Sequence, residues 1–127
     1  MAKNYGSAVF QVKAALQAVF TPGVSRHAGK LDGTAAAHLY SIGALKTYLS
    51  CDIVFARWVR AEFNEKFIGG IGPPMVDRFV RSLHDRDLSH ATVNKYVAAI
   101  VKLDAGLRAV GWRPKDAPEL VPADLYS

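Results

Sequence analysis

The chain has one cysteine, Cys51, among 127 residues. A single thiol closes no intrachain disulfide, and a cysteine-based zinc site needs several. A disulfide-stapled secreted fold is therefore excluded. Cys51 sits in an apolar stretch and is expected to act as a small buried hydrophobe. Long apolar runs are lacking too: nothing approaches the ~18 consecutive apolar residues that span a bilayer. The opening MAKNYGSAVF lacks the basic-then-apolar layout of a signal peptide. The expectation is a cytoplasmic chain with no membrane contact.

Catalytic motifs are missing as well. The histidines are His27, His38, His84 and His90; none forms HExxH, and no two lie three or four apart. There is no G-x-S-x-G, no P-loop and no G-x-G-x-x-G opening a helix after a strand. Gly69-Gly70-Ile71-Gly72 has no strand before it and Pro73-Pro74 after it, so it is expected to be a flexible loop. Asp85 and Asp87 flank Arg86 in a turn and read as solvated, and His84 and His90 read as surface residues beside it. No cofactor, no metal and no small-molecule substrate is expected, and the chain itself is not expected to be an enzyme.

Composition is that of an ordinary globular domain, with 50% hydrophobic and 21% charged residues. The net charge is +5, which favours an anionic partner without naming one. Charge is uneven: residues 1–40 and 41–112 each carry a net +3, and 113–127 a net −1. The last segment holds Pro114, Pro118 and Pro122 and reads as an extended tail or a linker, outside any core.

Apolar spacing predicts four amphipathic helices and no strand. The first covers about 7–20, with Val9, Val12, Leu16, Val19 and Phe20 inward. Ser7 is placed to cap it, and Thr21-Pro22-Gly23 stops it. Asp32-Gly33-Thr34 is placed to cap a short helix at 35–39. The longest helix covers about 44–64 and is apolar over most of its girth, leaving a narrow face of Lys46, Ser50, Arg57 and Arg60. The next covers about 74–85, opening on prolines where a first turn tolerates them. The last runs from a Ser89 cap to about Val110, with Leu88 and Val93 spaced as a hydrophobic staple and Gly111 fit to end it.

Two segments 48 residues apart share a layout: Ser41-Ile42-Gly43-Ala44-Leu45-Lys46-Thr47-Tyr48 and Ser89-His90-Ala91-Thr92-Val93-Asn94-Lys95-Tyr96. Each opens a helix whose first turns offer small polar and basic side chains. Exposed helix-start N–H groups favour phosphate, and Lys or Asn can reach phosphates or base edges. Lys95, Ala98, Ala99 and Lys102 are expected together on the outer surface of the last helix, where alanines would let a groove approach. A merely solvated lysine face is the alternative.

The order of these features resembles the N-terminal, SAM-like core-binding domain of tyrosine recombinases, the phage integrase family. The resemblance rests on Ser41 to Tyr48, Phe55-Ala56-Arg57-Trp58, the stretch Pro73 to Leu83, and Asp87-Leu88-Ser89-His90-Ala91-Thr92-Val93-Asn94-Lys95-Tyr96 running on to Ile100. It covers about 41–112. Ala44 stands where the family usually has Thr, and Asp87 where it has Gly. The family's catalytic tyrosine, His-x-x-Arg and companion basic residues are absent from this chain.

The resemblance implies an all-α, compact SAM-like orthogonal bundle of four to five helices at 41–112. It would be preceded by an accessory helix and loop at 1–40 and followed at 113–127 by a tail or truncated linker to a missing catalytic domain. It implies a domain that clamps one face of double-stranded DNA during integration and recombination, alongside the catalytic domain of the same protein and other protomers on DNA, in the nucleoid of a prokaryotic or phage-infected cell. The DNA contacts it suggests are Lys46, Thr47, Thr92, Asn94, Lys95 and Lys102, with Arg57 and Arg60 behind them. A helical protein-interaction module, or a small helix-turn-helix regulator, are the alternative readings.

Overall fold

The computed structural model describes residues 6–20 and 41–121; the short helix expected at 35–39 lies outside them. Among the described residues the protein is all-α, as expected. The described helices are α1 (Ala8–Ala18), α2 (Ile42–Phe63), α3 (Pro73–Asp85) and α4 (His90–Ala109), with a 3-10 turn at Ile68–Gly70 before α3.

Serine starts three of the four. The hydroxyls of Ser7, Ser41 and Ser89 accept the amides of Phe10 at 3.2 Å, Ala44 at 3.1 Å and Thr92 at 3.3 Å. Each satisfies a donor the helix cannot, a contribution of about 1 kcal/mol. α3 has no side-chain cap; Pro73 and Pro74 instead remove amides from its first turn. α2 ends where Asn64 turns left-handed at φ 55°, and Gly111 does the same beyond α4 at φ 78°. Leu88 and Val93 both join the core at the start of α4, as the staple spacing predicts.

α1, α2 and α4 pack on one another, and α3 lies against α2 and α4. An aromatic cluster holds the second group together. Phe79 of α3 meets Phe55 and Trp58 of α2 at centroid distances of 5.0 and 5.2 Å, and Tyr96 of α4 at 5.7 Å, all edge-on.

Three expectations need correction. The first helix is not accessory: Val12, Ala15 and Leu16 are fully buried, and α1 is one of three helices enclosing the core. Two features seat it. Gly106 of α4 lacks a side chain where the Ala15 backbone passes. Gln11, itself buried, donates to the carbonyls of Gly6 at 3.1 Å and Lys66 at 2.8 Å and accepts the Ile68 amide at 2.8 Å.

The glycine-rich segment is no loose loop. Ile68 and Ile71 are buried in the core, and Gly69 sits so close to the Trp112 carbonyl that a side chain would collide with it.

The segment after α4 is also part of the fold as far as it is described. Leu120 is fully buried in the core, and its amide donates to Asp104 at 3.1 Å. Arg108 donates to the Asp104 carboxylate at 2.8 Å and to the carbonyls of Lys115, Ala117 and Pro118 at 2.9, 3.0 and 3.0 Å. Arg113 is buried, ion-paired to Asp104 at 3.1 Å, and donates to the carbonyls of Ile71 and Pro118. Burial lowers the Arg113 pKa, and the Asp104 charge opposes that shift. A Pro-rich strap of mean polar character is thus fastened by two arginines sharing one carboxylate.

Candidate nucleic-acid interface

The site expected from the sequence rests on the exposed side of α2 and the first turns of α4. α2 has 22 residues, so it is about 33 Å long. Its inner stripe, including Phe55, Ala56 and Val59, is buried. Its outer side exposes Ile42, Gly43, Lys46, Thr47, Ser50, Val54, Arg57, Arg60 and Ala61. Counting 100° per residue, Gly43, Ser50, Val54, Arg57 and Ala61 fall within about 60° of one another, with Lys46 and Thr47 on either flank.

This face is low in relief and one-signed in charge. Gly43 has open space around it. The Ser50 hydroxyl folds back to donate to the Lys46 carbonyl at 3.1 Å. Lys46, Arg57 and Arg60 form no ion pair with a described residue. No acid interrupts the face before Glu62, because the helix's other acid, Asp52, is turned inward and fully buried.

Asp52 is the anomaly of the core. Neither carboxylate oxygen has a hydrogen-bond partner, and burial pushes its pKa well above the usual carboxylate range. Its carboxyl group points into the core, away from the cationic face. Neighbouring Cys51 is buried, as expected. Burial pushes the Cys51 thiol up; nearby Lys95 works against that shift and Asp52 adds to it.

Lys95 of α4 is thus close enough for its charge to be felt at Cys51, in the middle of α2. Its ammonium also lies 5.9 Å from the centroid of the Tyr96 ring. Asn94 is exposed beside it. Thr92 is half-buried, and its hydroxyl lies 3.0 Å from that of Ser89, so it completes the cap before it can serve a ligand. Lys102 is half-buried. The expected lysine–alanine surface on α4 needs correction, because Ala99 is fully buried in the bundle. Of the cations expected at the site, Lys46, Arg57 and Arg60 are exposed on α2 and Lys95 on α4.

Sequence reasoning missed two members of this face. Ile42, which precedes the helix start expected at about 44, and Val54, which falls in a helix expected to be apolar over most of its girth, are 61% and 42% exposed. It also missed that His84 and His90 meet across the α3–α4 turn, ring centroids 6.5 Å apart. No three metal-ligating side chains cluster among the described residues. An open groove between α2 and α3, lined by Trp58, Glu62, Asp77, Arg78, Arg81 and Asp85 among others, mixes both signs. There Arg81 pairs with Asp77 at 3.0 Å, and Arg78 stacks 5.3 Å from the Phe63 centroid.

No family model, curated protein or solved structure matches the chain. No described helix is long and apolar enough to cross a membrane.

Proposed function

We propose that the chain is a double-stranded DNA-binding module, and that it serves as the core-site-binding domain of a tyrosine recombinase. The observation that carries DNA binding is the outer face of α2: three cations with no ion pair to a described residue, small residues between them, and no exposed acid before Glu62. A smooth cationic helix face suits a groove bordered by phosphates. The finer reading is supported by the order of motifs from Ser41 to Ile100. In it, Lys46, Arg57, Arg60 and Lys95 hold phosphates, while Thr47 and Asn94 face base edges. DNA cleavage and joining would belong to a catalytic domain of the same protein, and this chain would act beside that domain and other protomers.

Binding to a random-sequence 20-bp duplex, followed by fluorescence anisotropy, tests the DNA reading. Three to four neutralised phosphates give a log–log salt slope of about −2.7 to −3.6, so affinity falls roughly 40- to 150-fold between 50 and 200 mM salt. Lys46→Glu and Arg57→Glu should each weaken binding and flatten the slope by about one unit. Lys13→Glu, on exposed α1 surface, should leave the slope unchanged. Absent binding at 50 mM salt, or affinity indifferent to salt, would overturn the proposal.

A further inference from the structure

Val54 stands out on the cationic face. It is 42% exposed, near the midpoint of α2, and it points to the same side as Ser50, Arg57 and Ala61. Its neighbours on that side are short: the Ser50 hydroxyl is folded onto the helix and Ala61 ends at a methyl. The branched aliphatic tip of Val54 is therefore the apolar prominence on a low surface edged by Lys46 and Arg57.

A groove with phosphate walls and an apolar feature on its floor complements that shape and charge. Duplex DNA presents such a feature only in the major groove, where the C5-methyl of thymine projects among otherwise polar base edges. We infer that Val54 is a specificity-determining residue that packs against a thymine methyl, with Lys46 and Arg57 on the flanking phosphates. The inference rests on the DNA-binding reading above and adds what the cations cannot supply, since phosphate contacts carry no sequence information.

Ile42 is the natural control. It is also exposed and aliphatic on α2, but twelve residues away it lies about 120° round the helix from Val54 and cannot share its contact.

The test starts by selecting bound duplexes from a random 20-bp pool. The enriched duplex is then remade with deoxyuridine replacing each thymidine in turn, which deletes only the methyl. The wild-type chain should lose about three- to fivefold in affinity at one or two positions, the worth of one buried methyl group. Val54→Ala, an exposed change to a better helix former, should bind both duplexes equally and match the wild type on the uridine form. Ile42→Ala should keep the wild-type discrimination. If the wild type treats thymidine and deoxyuridine alike at every position, or if Val54→Ala still discriminates, this inference falls while DNA binding stands. If no duplex is bound at 50 mM salt, the DNA-binding reading falls and takes this one with it.

Discussion

Replacing Gly106 by alanine should destabilise this protein, although the same change inside most helices does the reverse. Gly106 lies within α4, where alanine is better by about 1 kcal/mol on intrinsic propensity. But a Cβ at Gly106 would lie 2.5 Å from the carbonyl carbon of Ala15 and nearer still to its oxygen. Ordinary contact needs at least 3.4 Å, so α1 and α4 must part by roughly 1 Å. The obstacle is backbone, so no rotamer change relieves it. Overpacking of this kind costs about 1–3 kcal/mol, and a clash this deep belongs at the upper end. After the propensity gain, the net loss is about 2 kcal/mol. Urea denaturation should show a lower midpoint with an unchanged slope, and Tm should fall by several degrees. Gly43→Ala supplies the contrast: it meets nothing within 4 Å and should hold or raise Tm. A Gly106→Ala variant as stable as the wild type would refute the close α1–α4 crossing and, with it, the placement of α1 in the core.

Two further substitutions probe buried charge. Asp52 holds its proton more tightly when folded than when unfolded. Its effect on stability is therefore nil below the ordinary carboxylate pKa and grows unfavourable as pH rises from about 4 towards the native value. Asp52→Asn removes that dependence, so urea unfolding should show the variant gaining on the wild type between pH 4 and pH 7; a pH-independent difference would contradict the burial argument. Asp104→Ala leaves Arg113, 5% exposed, without its counter-charge, and should cost about 3–5 kcal/mol. It should also free the strap, seen as faster tryptic cleavage after Lys115; unchanged cleavage would show that Asp104 does not hold it.

What the sequence made legible was local. Ser41, Ser89, Leu88 and Val93 announce helix starts because capping and stapling act within one turn. The cations of α2 were legible because Lys46, Arg57 and Arg60 fall together on the narrow side left by a helix otherwise apolar. The role of α1 was not, because what seats it, Gln11 and Gly106, are residue types that read as a surface amide and a weak helix former. The strap was misread for a similar reason: one leucine among prolines and charges, Leu120, does the burying, and its partner Asp104 lies sixteen residues earlier. Ala99 misled because alanine is equally at home inside and outside. Val54 was lost to the site because the helix was expected to be apolar over most of its girth, and Ile42 because it precedes the helix start expected at about 44.

The fastening of residues 113–121 also decides where this protein can be trimmed. A boundary drawn at residue 112, where the helical pattern ends, would discard Leu120 and Arg113 and leave Asp104 without one of its two arginine partners. An expression variant shortened to that point would open the bottom of its own bundle to water, and a low yield from it would report on the missing strap and not on the helices. A carrier protein joined downstream of Val121 leaves every one of these contacts in place.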